Sequence, residues 1–233
     1  MQSDFNLIIA EQFSFVKALR NDDNKSAVVL RHKNLDTEIV VREFCGDTAV
    51  YEMLKKINHP NLPKIYSAEK CDSRCKVVEE YINGITVAEV LAGGLYTPKG
   101  MAEVIRGVCS ALDTLHSLNI IHRDIKPENV MIDTLGTVKL IDFDAARVFK
   151  SYQAQDTSFI GTAGFAAPEQ YGINQTDPRS DIFALGILMN VMLTGEHPSK
   201  QLYKGRFTKT IEKCINLDPN KRFANVKELI RNL

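Results

Sequence analysis

One polar stretch of the chain carries acidic, basic and amide side chains at close spacing. Residues 122–129 read His-Arg-Asp-Ile-Lys-Pro-Glu-Asn, so a carboxylate, an amine and an amide follow one another closely. Two short runs rich in β-branched residues come next, at 130–132 and 138–141, and the polar turn between them favours a β-hairpin. The hairpin ends at Asp142 and is expected to bring it close to Asn129. An amide and a carboxylate that converge beside a second carboxylate suit a hard, oxygen-seeking cation such as Mg²⁺.

These residues, with the Asp-Phe-Asp triplet at 142–144, resemble the catalytic loop and the magnesium motif of protein kinases. The resemblance implies that Asp124 orients and deprotonates the acceptor hydroxyl and that Lys126 neutralises the transferring phosphoryl group. It also implies that Asn129 and Asp142 hold Mg²⁺ (or Mn²⁺) on the phosphates of ATP. A lysine two residues after the aspartate is the serine/threonine-kinase form of this loop.

A second motif follows at residues 161–169, which read Gly-Thr-Ala-Gly-Phe-Ala-Ala-Pro-Glu. It resembles the substrate-docking loop and the Ala-Pro-Glu motif of the same family. The resemblance implies that Thr162 hydrogen-bonds Asp124 and Lys126. The sequence of residues 164–172 is most similar to that of bacterial eukaryotic-type (Hanks-type) serine/threonine kinases. The same is true of the Gln-Thr-Asp-Pro-Arg-Ser-Asp run that follows it.

Three more residues carry structural roles in this resemblance. Asp181 matches the buried aspartate that ties a central helix to the catalytic loop. Arg222 matches the cation that pairs with the glutamate of the Ala-Pro-Glu motif, here Glu169. A buried pair of this type is costly to break singly.

The mixed, polar residues 145–160 have the place and composition of an activation segment. Tyr152, Thr157 and Ser158 are candidate phosphate acceptors within it. Arg123, beside the catalytic aspartate, would be the counter-charge for such a phosphate. The alternative is an ordinary surface loop with several hydroxyl groups.

The first third of the chain shows the same family pattern in a degenerate form. Runs at 13–19, 27–30 and 38–44 predict three strands, and the turn at 20–25 takes the place of the glycine-rich loop without containing a glycine. Glycines let backbone N–H groups approach phosphates closely. Aspartates in this turn would repel a triphosphate, so we expect the loop to stay away from the nucleotide.

Arg42 takes the position of the family's phosphate-binding lysine. Arginine keeps the positive charge of lysine, but its side chain is longer, planar and forked. The alternative to a nucleotide-binding role is that Arg42 is an ordinary exposed cation on a strand. The short helix predicted at 47–57 has no glutamate at the position where the family has its ion-pair glutamate. Glu52 is the nearest candidate partner for Arg42; the alternative is that Glu52 lies on a solvated face of the helix. Glu79 falls at the gatekeeper position, where a buried carboxylate needs a partner. We therefore expect Glu79 to pair with Arg42 in place of the missing helix glutamate.

The segment after Glu79 resembles the hinge that joins the two lobes of a kinase. The resemblance implies that backbone groups at Glu80, Tyr81 and Ile82 meet the adenine edge. It places Met131, in the catalytic hairpin, among the cofactor-binding residues as well.

The bulk composition excludes several other classes of protein. The 233 residues are 44% hydrophobic, and 29 Lys and Arg balance 29 Asp and Glu, so no net charge attracts nucleic acid or an anionic membrane. No apolar stretch reaches roughly 18 residues, and the N-terminus lacks a signal sequence. The odd number of five scattered cysteines favours reduced thiols and a cytoplasmic location. Cys71 and Cys75 flank a predicted hairpin turn and are expected to face each other.

The resemblance predicts an α+β, bilobal protein-kinase-like fold. Residues 1–82 would form the N-lobe, with a five-stranded sheet and a short regulatory helix, and residues 83–233 the helical C-lobe. The short interval after Pro198 predicts that a helix used by kinases for docking is absent. The chain stops at Leu233 directly after the last predicted helix, so we expect a longer natural protein with a flanking domain.

Three functions fit these features. The first is a minimal serine/threonine protein kinase that transfers the γ-phosphate of ATP to a protein hydroxyl without a glycine-rich loop. The second is a pseudokinase, a nucleotide- or partner-binding module without catalysis. A small-molecule kinase ranks third, because the docking motif at 161–169 suits a polypeptide substrate.

Overall fold

The computed structural model describes residues 9, 11–22, 25–71, 74–149, 162, 164–171 and 176–233. By its internal contacts the chain separates into two compact units. The first comprises Met1–His59 and Pro63–Ile82, and the second comprises Pro60–Leu62 and Asn83–Leu233.

A five-stranded antiparallel sheet forms the first unit, in the order β1-β2-β3-β5-β4. The strands are β1 Phe13–Asn21, β2 Lys25–His32, β3 Glu38–Cys45, β4 Ile65–Cys71 and β5 Arg74–Glu80, and helix α1 is Ala49–Leu54. Because successive side chains of a strand point to opposite faces, residues of β3 contribute to two apolar clusters, one on each face of the sheet. Val40 packs with Ala27 and Val29 on one face, whereas its two sequence neighbours pack with Val78 on the other. The five predicted strands are confirmed.

The turn between β1 and β2 is closed by Asp22 rather than by glycine. Lys25 N donates to Asp22 Oδ1 at 2.9 Å, and Arg20 Nε donates to Asp22 Oδ2 at 2.6 Å. A carboxylate that accepts hydrogen bonds from its own turn is a common way to stabilise a turn without glycine. Asp22 is thus engaged in the turn itself. Asp23, the other aspartate of this turn, lies outside the described residues.

Two expectations for the first unit need correction. Cys71 lies opposite Arg74, and Cys75 lies opposite Lys70, so the two cysteines do not face each other. The strand register, which is offset by one residue from a Cys71–Cys75 pair, is the physical reason. Helix α1 is also shorter than the predicted 47–57, with Thr48 and Lys55 at its ends.

The second unit is built around two long helices. Helix α2 is Val87–Gly93, α3 is Pro98–Ser117, α4 is Pro178–Thr194, α5 is Thr208–Cys214 and α6 is Val226–Ile230. Thr97 caps α3 by accepting a hydrogen bond from Gly100 N, and Pro98 occupies the first turn, where its missing N–H costs nothing. Helix α4 is buried along almost its whole length, which makes it the centre of this unit.

Short strands position the polar loops of the second unit. Strands β6 Gly84–Thr86, β8 Val130–Asp133 and β9 Val138–Leu140 form one sheet, while β7 Ile120–Ile121 pairs with β10 Arg147–Val148. The β8–β9 hairpin turns at Asp133, whose Oδ1 accepts from Leu135 N at 2.9 Å and from Thr137 N at 2.7 Å. The predicted hairpin is confirmed.

The chain from α4 to α5 contains no further helix within the continuously described residues 176–233. The fully buried Asn190 holds this segment instead. Its Nδ2 donates to the carbonyl oxygens of Glu196 and Gln201, each at 2.8 Å, and its Oδ1 accepts from Tyr203 N at 2.8 Å. The predicted absence of a helix here is confirmed.

Among the residues that the structure describes, no helix has the length and apolar character needed to cross a membrane.

Candidate active site

The backbone of the catalytic loop rests on Asp181, a fully buried carboxylate at the start of α4. Its Oδ2 accepts from His122 N at 3.0 Å, and its Oδ1 accepts from Arg123 N at 2.8 Å. His116 Nε2, at the end of α3, lies 2.8 Å from Oδ2. Burial acts to raise the pKa of Asp181, but hydrogen bonds from His116 and His122 outweigh it and leave the pKa lowered. Asp181 therefore ties α3, α4 and the loop together, as the sequence predicts.

Two residues of the site have left-handed backbone conformations. Arg123 has φ of 67° and Asp142 has φ of 66°. For residues other than glycine this conformation costs on the order of 1–3 kcal/mol and persists only where the surroundings impose it. At Arg123 the surroundings are visible, because its N–H donates to Asp181 and its carbonyl oxygen accepts from Gln170 Nε2 at 2.9 Å.

Asp124 is the centre of a network of polar side chains. Thr162 Oγ1 donates to Asp124 Oδ1 at 2.6 Å, and Lys126 Nζ lies 2.8 Å from both Asp124 Oδ2 and Thr162 Oγ1. Asn129 Nδ2 donates to the same Asp124 Oδ2 at 2.9 Å. Burial acts to raise the pKa of Asp124, but the contacts with Lys126 and Thr162 lower it overall. The side chains of the other three predicted catalytic residues thus all contact the carboxylate of Asp124.

The side-chain oxygen of Asn129 and the carboxylate of Asp142 are the predicted metal ligands. Asn129 Nδ2 also donates to Asp124 O at 2.8 Å, which leaves the amide oxygen as the atom able to bind a cation. Ile141 N donates to Asn129 O at 2.9 Å, so the backbone holds Asp142 beside Asn129. Two oxygen ligands of this kind fit Mg²⁺, which usually keeps several waters and binds substrate phosphates as well.

Asp144 stands where the family has glycine after the Asp-Phe pair. Its backbone N donates to Asp142 Oδ1 at 3.3 Å. Within the described part of the chain, no group of three His, Cys, Asp or Glu side chains is placed to hold a metal. Asp144 is therefore not gathered with Asp124 and Asp142 into a three-carboxylate centre.

His122 links the catalytic loop to the Asp-Phe-Asp triplet. Its buried ring lies edge-on to Phe143, with 5.4 Å between ring centroids, and its Nε2 lies 3.2 Å from Ile141 O. Asp124 N donates to its Nδ1 at 3.4 Å, so the contacts fit a neutral ring protonated on Nε2. Burial lowers the pKa of His122 against the raising effect of Asp181 and its other acidic neighbours.

The segment 164–171, named here the docking segment, is fixed at its carboxyl end. Arg222 Nη1 and Nη2 donate to the two carboxylate oxygens of Glu169 at 2.6 and 2.9 Å, and Ser180 Oγ donates to Oε1 at 2.8 Å. The predicted Glu169–Arg222 pair is confirmed. Removing one partner of such a buried pair costs about 3–5 kcal/mol.

In the first unit, Arg42 contacts Glu79. Arg42 Nε lies 2.5 Å from Glu79 Oε1, and the two side chains are 13% and 4% exposed. The residues belong to neighbouring strands, where Glu79 lies opposite Val40. The predicted pairing is observed. Glu52 is exposed on α1 and, among the described residues, forms no ion pair with Arg42.

The predicted hinge residues lie at the end of the sheet of the first unit, where Glu80 is the last residue of β5. Glu80 N donates to Lys64 O at 2.8 Å, and Glu80 Oε2 accepts from Lys64 N at 3.0 Å. Tyr81 packs against the Val40 cluster, and Ile82 is buried. Met131 belongs to the second unit, where it lies on β8 opposite Thr86 and Lys139.

Several residues of the site carry no sequence signal that we used. Gln170 and His116 act through buried polar atoms that meet distant parts of the chain. The position of Gln170 directly after the Ala-Pro-Glu motif could have indicated from the sequence that it lies at the site. The candidate phosphate acceptors Tyr152, Thr157 and Ser158 lie outside the described residues.

Comparisons with known proteins agree with this geometry. The sequence pattern of the family described as "protein kinase domain" matches residues 12–231. The chain is 32% identical over 182 residues to serine/threonine-protein kinase PknB of Mycobacterium tuberculosis, covering 72% of this chain and 29% of the relative. It is 36% identical over 177 residues to serine/threonine-protein kinase PrkC of Bacillus subtilis, covering 70% of this chain and 27% of the relative.

A third relative is the probable serine/threonine-protein kinase PknB of Lactococcus lactis, 30% identical over 198 residues, covering 82% of this chain and 31% of the relative. The chain spans less than a third of the length of these curated relatives. Because the family pattern covers nearly the whole chain, the chain belongs to the protein kinase family and is similar within it to bacterial Hanks-type serine/threonine kinases.

Proposed function

We propose that this domain is a serine/threonine protein kinase that transfers the γ-phosphate of ATP to a protein hydroxyl and works without a glycine-rich loop. The observation that supports this most strongly is the network in which Thr162, Lys126 and Asn129 all contact Asp124. A domain that only binds a partner has no physical need for three such side chains that all contact one carboxylate.

In the proposed mechanism, Asp124 accepts a hydrogen bond from the substrate hydroxyl and aims its oxygen at the γ-phosphorus. As the new oxygen–phosphorus bond forms, the bond to the β-phosphate oxygen breaks, ADP leaves and the hydroxyl proton passes to Asp124. Since the pKa of Asp124 is lowered, its main contribution is orientation by an ionised carboxylate. This agrees with a transition state in which positioning and charge neutralisation dominate.

Lys126 and Thr162 complete this arrangement. Lys126 lies 2.8 Å from Asp124 Oδ2 and would neutralise charge on the transferring phosphoryl group, and Thr162 fixes the rotation of the carboxylate. Asn129 and Asp142 would hold Mg²⁺ (or Mn²⁺), which when bound neutralises phosphate charge.

We further propose that Arg42 supplies the cation for the phosphates of ATP and that Glu79 holds it in place. The ion pair joins two neighbouring strands, so the sheet itself holds the guanidinium. Glu52 is not part of this proposed site, because its side chain is exposed and does not pair with Arg42. The backbone at 80–82 and the side chain of Met131 are proposed to contact the adenine.

A pseudokinase is the second candidate, and one observation favours it. The charge of Arg42 is already met by Glu79 within the sheet, and a neutralised cation attracts a triphosphate less strongly. In that case the domain would bind a nucleotide or a partner protein, and Asp124 would carry no chemistry.

For the whole protein we propose a longer chain with a flanking region and a cytoplasmic kinase domain that acts on protein substrates. The fraction of the relatives that is matched supports the flanking region. The free thiols of the described Cys45, Cys75, Cys109 and Cys214 suit a reducing compartment.

The proposal is tested by transfer of labelled γ-phosphate from ATP, with Mg²⁺ or Mn²⁺, to the domain itself and to a generic basic protein. An Asp124→Asn variant, prepared identically, controls for contaminating kinase. Label that depends on Asp124 supports the kinase. Nucleotide binding without Asp124-dependent label would replace it with the pseudokinase.

A further inference from the structure

Gln170 lies in the docking segment, and the mechanism proposed above does not use its carboxamide. Its side chain is buried within the 3₁₀ turn Pro168–Tyr171. Gln170 Oε1 accepts from Ala167 N at 3.0 Å, and Nε2 donates to Arg123 O at 2.9 Å. One carboxamide therefore joins the docking segment to the backbone of the catalytic loop.

The carbonyl group that Gln170 contacts belongs to the peptide bond that leads into Asp124. Arg123 has a left-handed backbone, and its N–H donates to Asp181 Oδ1 at 2.8 Å. Because Gln170 holds its carbonyl group, both main-chain polar groups of Arg123, the N–H and the C=O, are fixed by hydrogen bonds. Fixing both sides sets the plane of the peptide between Arg123 and Asp124, and with it the direction of the Asp124 side chain.

Gln170 is itself held in place because the docking segment is anchored at two points that precede it, the nearer of them at the adjacent residue. His197 Nε2 lies 3.0 Å from Gly164 O near the start of the segment. At its end, Glu169 is bound by Arg222 and Ser180. A displacement of the docking segment would therefore be transmitted to Arg123 O through Gln170.

We propose that Gln170 is a positioning residue of the kinase reaction: its carboxamide clamps the Arg123–Asp124 peptide and couples the docking segment to the aim of the Asp124 carboxylate. The inference rests on the proposed kinase function and deepens it. A protein substrate that settles on the docking segment would tighten the clamp, whereas a segment pulled away would release the peptide.

The first test compares Gln170→Met with the wild-type domain in the phosphate-transfer assay. Methionine fills a similar volume but has no group to donate to Arg123 O or to accept from Ala167 N. We expect kcat to fall by about 10²-fold, the loss typical of a small misplacement of a reacting group. The KM for ATP should stay unchanged, because the carboxamide hydrogen bonds go to the backbone of Ala167 and Arg123, and neither residue is proposed to bind the nucleotide.

Asn190→Leu is the matched control. Asn190 is also a buried carboxamide in the second unit, and it also holds backbone groups, but those of residues 196–203. It should lose thermal stability to a similar degree while keeping kcat. If Asn190→Leu lost as much kcat as Gln170→Met, the effect would be general destabilisation, and the positioning role would be overturned.

A second readout does not depend on catalysis. Amide hydrogen exchange at residues 122–125 should be faster in Gln170→Met than in the wild type or in Asn190→Leu, because the clamp that holds this peptide is gone. Unchanged exchange there, or a folded Gln170→Met with wild-type kcat, would overturn the inference. If instead the wild type shows no Asp124-dependent transfer, the proposed kinase function fails, and the exchange result still decides whether the clamp exists.

Discussion

At the scale of single residues, Thr162 and Lys126 determine how Asp124 is presented. The Thr162 hydroxyl donates to one carboxylate oxygen of Asp124 and also contacts Lys126 Nζ. A hydroxyl in this place therefore fixes both the rotation of the acid and the position of the amine. Without it, the carboxylate would lose a charge-assisted hydrogen bond of the strong class.

Replacing Thr162 by valine, which has the same shape but no hydroxyl, should reduce kcat. A hydrogen bond to a charged group contributes about 1.5–3 kcal/mol, so a loss of roughly ten- to hundredfold is expected. Steady-state kinetics with a protein acceptor measures it. Thr162→Ser keeps the hydroxyl and should retain most of the activity; equal losses in both variants would show that the methyl group, not the hydroxyl, is what matters.

Variants of the Arg42–Glu79 pair can distinguish a structural role of Arg42 from a role in binding the nucleotide. Either Arg42→Met or Glu79→Leu alone should lower the free energy of unfolding by about 3–5 kcal/mol, because each leaves a buried charge unpaired. The double variant should recover most of that stability. It should still bind MgATP more weakly than the wild type, since the proposed phosphate cation is gone.

Urea unfolding and calorimetric titration with MgATP measure these two effects separately. A double variant with wild-type affinity for MgATP would assign Arg42 to the sheet alone, as the ordinary strand cation that its sequence position also allows.

At the scale of elements, the catalytic loop is supported by helices α3 and α4 and by the β8–β9 hairpin. Asp181 and His122 form the buried polar centre of this support. The pKa of each is lowered in the folded protein, for Asp181 by its hydrogen bonds and for His122 by burial. In both cases the unfolded chain binds protons more readily than the folded one.

The second unit should therefore lose stability as the pH falls. His122 contributes stability that is complete above its unfolded pKa of about 6.5 and is lost as the pH drops toward its folded pKa. Asp181 adds a further loss below its own unfolded pKa of about 3.9. Urea unfolding monitored between neutral pH and pH about 4.5 isolates the histidine contribution, because this range lies above the unfolded pKa of an aspartate. His122→Gln, which cannot titrate, should show a weaker pH dependence; an identical slope would exclude His122 as the cause.

The sequence predicted those elements and contacts that short motifs specify. The hairpin after the catalytic loop follows from residue type and spacing, whereas the resemblance to protein kinases implied the contacts of Thr162, the tie through Asp181 and the Glu169–Arg222 pair. The Arg42–Glu79 pair was predictable for a different reason, since a carboxylate expected in the interior needs a cation within reach.

Other features depend on three-dimensional detail that spacing does not carry. The register of β4 and β5 decides that Cys71 and Cys75 do not face each other, and a turn alone does not set that register. Gln170 and Asn190 bind backbone atoms far along the chain, and an amide side chain gives no sign of which carbonyl it will meet.

At the scale of the whole molecule, the two units carry different parts of the family pattern. The second unit has Asp124, Lys126, Asn129 and Asp142 with the contacts described above, whereas the first has lost the glycine-rich loop and has an arginine at the lysine position. Nucleotide binding by this domain should therefore depend strongly on the metal ion, because the first unit lacks the glycines whose backbone would contact the phosphates.

Thermal unfolding with added nucleotide tests that dependence. MgATP should raise the Tm, since a ligand that binds only the folded state stabilises it. ATP with excess EDTA should not raise the Tm, and Asp142→Asn should abolish the effect of MgATP. If ATP raised the Tm equally with EDTA, the nucleotide would be held without the proposed metal ligands.

The central claim, that this domain is a working kinase, is tested most directly by the stoichiometry of its products. ADP and phosphoprotein would be quantified together after incubation with MgATP and a protein acceptor, and the phosphorylated residue identified by hydrolysis. We predict equal amounts of ADP and of phosphoserine plus phosphothreonine, both lost in Asp124→Asn. ADP without phosphoprotein, or MgATP binding without either product, would contradict the account.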